Sequence, residues 1–121
     1  SLRPSYVIYD RDNSAFTRSG LKTIVIPNGV TSIGNYAFDE CTSLTSVEMP
    51  STVTSLGSYV FRDCSKLKTC DFSQHTSVPS LGASAFDSVL STCQIKVPAA
   101  LVATWKAATN WSTYASMIVS A

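Results

Sequence analysis

A 23-residue unit repeats through this chain, and it constrains the fold more than any other feature. Residues 21–43 and 44–66 align without a gap, and residues 67–91 form a third copy with two extra residues in its first loop. Residues 92–98 hold only the first strand of a fourth copy. The first two copies are identical at nine positions: Leu21/Leu44, Pro27/Pro50, Val30/Val53, Thr31/Thr54, Ser32/Ser55, Gly34/Gly57, Tyr36/Tyr59, Phe38/Phe61 and Cys41/Cys64. Such units bury their apolar faces by stacking on neighbours, so the repeat predicts a solenoid rather than a small sandwich.

The start of each unit alternates apolar and polar residues, which predicts a short β-strand. In the first unit Ile24 and Ile26 are expected to point inward, and Thr23 and Val25 outward. Stacking of the units then gives a parallel, concave sheet of about four strands.

The second half of each unit is predicted to form the convex side. The stretch Val-Thr-Ser-Ile is a second short extended segment, and Gly34 permits a bend after it. Ala37, Phe38 and Cys41 follow at helical spacing, so residues 35–41 are expected to form a short helical turn.

Both ends of the array are expected to be capped, since open strand edges invite pairing with other chains. Residues 1–20 read as an N-terminal cap, with a strand at Tyr6 to Tyr9 in a hairpin or a degenerate coil. Residues 99–121 read as a C-terminal helical cap with a first helix and then a second short helix that Asn110 or Ser112 caps. The apolar residues assigned to the two helices are Leu101, Val102, Trp105, Ala108, Trp111, Tyr114, Met117 and Ile118.

Composition excludes several classes of protein. Hydrophobic residues make up 45% of the chain and the net charge is +1, which argues against disorder and against nucleic-acid binding. No run has the 18 or so apolar residues of a membrane span. Ser and Thr, at 20 and 13 residues, are assigned to the exposed half of each repeat.

The motif L-x-x-[IV]-x-[IM]-P-x-x-V-T-S-[IL]-G-x-Y-[AV]-F-x-x-C resembles the BspA-type, or Treponema pallidum-type, leucine-rich repeat. The resemblance covers residues 21–98, and the tail resembles the C-terminal cap of members from gut and oral bacteria. It implies a leucine-rich-repeat solenoid in a secreted or surface-exposed bacterial protein with a role in adhesion. Because longer arrays are usual in that family, the chain is expected to be a fragment or a short member.

The resemblance implies that the concave strand face is the binding surface. Its outward residues are Thr23, Val25, Ser46, Glu48, Thr69, Asp71, Gln94 and Lys96. Glu48 and Asp71 lie one strand apart, either as an ordinary exposed pair that Lys96 offsets or as an acidic patch for a basic partner or a divalent cation.

The sequence therefore predicts a non-catalytic protein–protein interaction module that acts as a monomer. The expected partner is a host extracellular-matrix protein or a bacterial surface protein, and no cofactor, metal, nucleic acid or membrane insertion is expected. Two alternatives remain: a structural stalk that presents a neighbouring domain, and a glycan-binding module that uses the two Trp of the cap and the hydroxyl-bearing faces. No catalytic residues are carried over, because the family motif contains none.

The cysteines and the single histidine are expected to be structural. Cys41 and Cys64 occupy one repeat position and are predicted to stack as buried thiols, although the spacing of adjacent coils also allows a disulfide. Cys70 takes an inward strand position, whereas Cys93 falls opposite Lys68 and is predicted to be partly exposed. His75 lies in the polar extra loop and is predicted to be solvated.

Overall fold

Stacked coils of the chain, each with two short strands and a series of turns, make up the protein. The computed structural model describes residues 6–8 and 22–121. Its strands, in chain order, are β1 (Tyr6–Ile8), β2 (Thr23–Val25), β3 (Val30–Ile33), β4 (Ser46–Glu48), β5 (Ser55–Leu56), β6 (Thr69–Asp71), β7 (Ser80–Leu81), β8 (Gln94–Val97) and β9 (Ile118–Ser120). The predicted leucine-rich-repeat solenoid is confirmed.

The strands form two parallel sheets on different sides of the coils. A five-stranded sheet has the order β2-β4-β6-β8-β9, and a four-stranded sheet has the order β1-β3-β5-β7. About four strands were predicted for the first sheet, and the fifth, β9, comes from the C-terminal cap. In the register Val47 pairs with Ile24 on one side and with Cys70 on the other, so equivalent repeat positions are neighbours in space.

The third side of each coil is a series of tight turns, so the predicted helical turn at residues 35–41 is wrong. Tyr36 and Glu40 have positive φ values of 63° and 61°, and their counterparts in the next coil, Tyr59 and Asp63, have 59° and 61°. Left-handed residues every fourth position rule out a helix. Alternate amides reach the next coil instead, as in the bond from Phe38 N to the carbonyl of Val60 at 3.0 Å.

The repeat glycines allow neighbouring coils to approach each other closely. A Cβ atom at Gly57 would lie 2.4 Å from the amide nitrogen of Asn35, and one at Gly82 would lie 2.2 Å from that of Ser58. Gly34 lies between the end of β3 and the turns that follow, where the bend was predicted, and it has no positive φ. The motif requires glycine at this position because the backbones of adjacent coils leave no space for a Cβ atom.

Apolar side chains fill the interior of the stack in ladders. Phe38, Phe61 and Phe86 are each at most 1% exposed, and their ring centroids are 5.5 and 5.3 Å apart. The rings lie nearly parallel because each repeat places its Phe at the same point of the coil. Each coil therefore covers the apolar face of the next.

An ion pair between a buried carboxylate and a partly exposed guanidinium links the turns of two coils. Asp39 is fully buried, and the Nε and Nη2 atoms of Arg62 donate to its two carboxylate oxygens at 2.9 and 3.0 Å. The guanidinium also lies over the stacked rings of Tyr36 and Tyr59, 5.3 and 5.4 Å from their centroids. The hydrogen bonds to Asp39 raise the pKa of Arg62.

The C-terminal cap covers the last coil with aromatic side chains. It contains a 3-10 helix at Ala99–Leu101, helix α1 at Val102–Ala107, a 3-10 segment at Trp111–Met117 and then β9. Trp105 and Trp111 are fully buried, and the indole Nε1 of Trp111 donates to the carbonyl of Pro79 at 2.8 Å. The predicted helical cap is thus present, with one difference at its end.

That difference is the strand β9, which sequence analysis placed in the second helix. Ile118 pairs with Ile95 of β8 and is 2% exposed, so the tail extends the five-stranded sheet. Asn110 makes no capping bond either. Its side-chain Nδ2 donates to the carbonyl of Leu81 at 2.7 Å and fastens the cap to β7.

The N-terminal prediction is tested at one strand. β1 pairs with β3 in parallel, as strands of successive coils do, which is the pairing of a degenerate coil. The rest of the predicted cap lies outside the described residues.

Candidate functional site: the five-strand face

The outward side of the five-stranded sheet, here the five-strand face, carries all eight residues predicted to bind a partner. Inward residues such as Ile24 and Val47 are buried, and the residues on either side of them point away from the core. The register aligns the outward residues in two columns across the strands. The structure places these eight residues side by side on one face, and their role in binding stays a prediction.

The first column is a row of short polar side chains. It runs through Thr23, Ser46, Thr69 and Gln94. The Ser46 hydroxyl donates to the Thr23 hydroxyl oxygen at 3.3 Å, so the row bonds partly to itself. It offers a row of uncharged hydrogen-bonding groups.

The second column combines apolar and charged side chains. It runs through Val25, Glu48, Asp71 and Lys96, and the pairing of β8 with β9 adds Val119. Val25 is 63% exposed, the one large hydrophobic side chain so exposed among residues 22–121. The sequence analysis did not include Val119 in this face. The alternation of Ile118, Val119 and Ser120 at the end of the cap is typical of a strand and could have indicated it.

The two carboxylates of this column differ in what they contact. An Asp71 carboxylate oxygen accepts the amide hydrogen of Ser73 at 2.8 Å, a local turn that holds the side chain at the strand end. Glu48 is exposed and forms no ion pair or hydrogen bond with the side chains of residues 22–121. Glu48 is therefore the carboxylate that is free to meet a partner.

A pocket of about 150 Å³ opens beside Glu48, where the strands of three successive coils end. It is lined by Val25, Ile26, Asn28, Glu48, Met49, Pro50 and Gln74. One charged residue and two residues with amide side chains thus line a mostly polar pocket at the edge of the five-strand face.

The four cysteines lie inside the stack as free thiols, and the disulfide alternative is absent from the structure. The Sγ atom of Cys64 donates to the carbonyl of Phe38 at 3.1 Å, and its hydrogen bond with Cys41, together with burial, raises the pKa of Cys64. Burial also raises the pKa of Cys70 and brings that of Cys93 to about 11. Cys64, Cys70 and Cys93 are thus held protonated and are poor nucleophiles. The hydrogen bond with Cys64 instead lowers the pKa of the buried Cys41.

The prediction of a partly exposed Cys93 is wrong, because the residue is 2% exposed. Its amide donates to the carbonyl of Leu90 at 3.0 Å, just as the amide of Leu44 donates to the carbonyl of Cys41. Cys93 therefore takes the inward place of the leading leucine, although the alignment sets it opposite Lys68.

The prediction of a solvated His75 is also wrong, because the residue is 5% exposed. Its amide closes a turn on the carbonyl of Phe72, as the amide of Val53 does on that of Pro50, so the imidazole enters the core where earlier coils place valine. Its Nε2 atom lies 2.9 Å from the carbonyl of Val53. A carbonyl only accepts, so Nε2 carries the hydrogen, and burial lowers the pKa of His75.

Neither tryptophan is available to a glycan. Both are fully buried among Phe72, Phe86 and His75, so the cap presents no Trp-lined surface. The part of the glycan alternative that used the two Trp is therefore wrong, and the part that used the hydroxyl-bearing faces stays a prediction.

Within residues 6–8 and 22–121, no three His, Cys, Asp or Glu side chains are grouped so that they could hold a metal ion. No helix in the same part of the chain has the length and apolarity needed to cross a bilayer.

These coils, sheets and ladders define the class of the protein, a leucine-rich-repeat solenoid. The family model described as "BspA type Leucine rich repeat region (6 copies)" matches residues 11–110, and the chain belongs to this family. Its members are commonly protein-interaction or adhesion modules, typically surface-exposed or secreted, and are generally non-enzymatic. Searches of curated proteins and of solved structures gave no match.

Proposed function

We propose that this chain is a non-catalytic adhesion module of a bacterial surface or secreted protein, and that it binds a protein partner through the five-strand face. The observation that carries the proposal is the contrast between this face and the interior. The two outward columns present hydroxyls, charges and an exposed valine, while the four thiols and the imidazole of His75 are buried.

The scaffold supports this role because the outward side chains contribute little to the packing of the coils. Ile24, Val47 and Cys70 hold the strands to the core, whereas their neighbours on the five-strand face make few contacts. A rigid backbone with replaceable outward side chains gives a preformed binding surface at low entropic cost. The proposed partner is an extracellular-matrix protein of a host or a surface protein of another bacterium.

A binding screen tests the proposal. The purified chain is immobilised and exposed to matrix proteins and to bacterial surface extracts, beside a Thr69→Arg variant. Thr69 lies in β6, the central strand of the five-stranded sheet, and its side chain points outward. The substitution therefore places a large side chain on the face and leaves the core intact. We expect at least one partner that wild type retains and the variant loses. Absence of any retained protein, or equal retention by both, contradicts the proposal.

A further inference from the structure

We propose that the pocket beside Glu48 receives the cationic end of a Lys or Arg side chain from the protein partner. This inference rests on the proposed function, since it names the chemistry by which the five-strand face would recognise its partner. It is carried by the pocket, by the free carboxylate of Glu48 and by the exposed side chain of Val25.

The size of the pocket selects a side chain as its occupant. Its volume of about 150 Å³ is well below the roughly 300–1,000 Å³ of small-molecule sites. The pocket is also open along the edge of the face, where an extended segment of another protein can pass.

The lining matches the two parts of a long basic side chain. Glu48 supplies a negative charge, and the amide oxygens of Asn28 and Gln74 supply further acceptors. The exposed lining of the pocket is mostly polar, and Val25, 63% exposed, is the apolar surface on which the aliphatic stem of Lys or Arg packs.

The order of charges along the second column favours binding of the partner's cationic group near Glu48 rather than near Lys96. Asp71 pairs in register with Glu48, so a cation in the pocket relieves the repulsion between two neighbouring carboxylates. Lys96 lies on the far side of Asp71 and disfavours a second cation there. The amide of Ser73 already occupies one Asp71 oxygen, which leaves Glu48 as the principal contact.

Three capped pentapeptides test the pocket without any knowledge of the natural partner. Each carries alanine at four positions and, at the centre, Lys, norleucine or Glu. Binding to the 15N-labelled chain is followed by NMR at low salt through the amide signals of residues 25–28, 48–50 and 74. We expect the Lys peptide to bind about two to five times more tightly than the norleucine peptide, the range of a partly exposed ion pair. The preference should shrink in 0.5 M salt.

Two variants make the assignment specific. Glu48→Gln should abolish the preference for Lys, and Glu48→Lys should transfer it to the Glu peptide. Glu40→Gln, the same chemical change in a turn away from the five-strand face, should keep it. Retention of the preference in Glu48→Gln, or its loss in Glu40→Gln, overturns the proposal. So does saturable binding of calcium chloride alone that moves the same signals, which assigns the pocket to a divalent cation.

The peptide experiment and the protein binding screen can fail independently of each other. A partner lost from Thr69→Arg, with no Lys preference in the peptides, overturns the pocket assignment and leaves the binding face standing. A Lys preference without any captured protein supports the pocket and contradicts the proposed function.

Discussion

At the scale of single residues, the stack leaves little room for change where coils touch. Gly57 is the clearest case, because its Cα faces the backbone of the preceding coil and a methyl group there would overlap the amide nitrogen of Asn35. Backbone atoms cannot move aside as a flexible side chain can. The repeat keeps glycine here for packing between coils.

Gly57→Ala should therefore destabilise the protein by about 1–3 kcal/mol, the usual cost of overpacking. Urea unfolding followed by tryptophan fluorescence measures the change. Ser65→Ala, a small substitution at an exposed position, should stay within about 0.5 kcal/mol of wild type. Equal stabilities for the two variants would show that the coils separate easily at this point.

His75 makes stability depend on pH. Its pKa in the folded protein lies below the usual 6.5 because burial disfavours the charged ring. As pH falls below about 6.5 the unfolded chain takes up the proton first, so stability is lost from there down through the folded pKa. The loss is about 1.4 kcal/mol for each unit of pKa difference.

Urea midpoints at pH 5.5, 6.5 and 7.5 measure this effect, and His75 is the single histidine of the chain. Wild type should weaken between pH 6.5 and 5.5. His75→Gln retains a donor for the carbonyl of Val53 and should lose that pH-dependent part. The same slope in both proteins would assign it to other groups.

Sequence reasoning missed His75 and Cys93 for one physical reason. His75 lies within a loop that has two extra residues and Cys93 follows that loop in the chain, so alignment by residue count no longer gives the coil position. The amide bonds of the turn give it instead, as the bonds from His75 to Phe72 and from Cys93 to Leu90 show. The polar residues on either side of His75 then led to the prediction that its side chain is solvated.

At the scale of elements, strands were predictable and turns were not. Alternation of apolar and polar residues located β2, β4, β6 and β8, and hence the residues of the five-strand face. The third side of the coil has apolar residues at spacings that a helix shares, and its left-handed positions are filled by residues such as Tyr36 and Asp63 rather than glycine. Bonds to the next coil, which a single unit does not reveal, stabilise these turns.

The cap is held by specific bonds as well as by aromatic packing. Trp111 donates to Pro79, whereas the Nε1 atom of Trp105 has no hydrogen-bond partner among the described residues. Tyr114 donates to the Asp87 carboxylate at 2.9 Å, and burial, with this bond, raises the pKa of Tyr114 to about 12.

Trp111→Phe and Trp105→Phe form a matched pair of tests for the cap. Both remove an indole from a fully buried site, but only Trp111→Phe leaves a buried carbonyl without its donor. We expect Trp111→Phe to be the more destabilising by about 1–3 kcal/mol in urea unfolding. The reverse order would show that the bond to Pro79 does not hold the cap.

At the scale of the whole molecule, the stacking of the coils places every cysteine in the interior. A thiol reagent should therefore react slowly with the native protein and should find four thiols per chain after unfolding without reductant. Fast reaction of the native chain would contradict this placement. Fewer than four thiols in the unfolded chain would reveal a disulfide.

The same stacking turns one side of the molecule into a continuous surface, and the central claim is that this side binds the partner. The most direct test is the Kd of a partner captured by the wild-type chain, measured for two variants that each add two positive charges. Ser46→Arg/Thr69→Arg alters the five-strand face, and Thr42→Arg/Ser65→Arg alters equivalent exposed positions in the loops before β4 and β6. We expect the first pair to weaken binding at least about tenfold, or 1.4 kcal/mol, and the second to leave it within about twofold. Equal effects of the two pairs, or a larger effect of the loop pair, would contradict the claim.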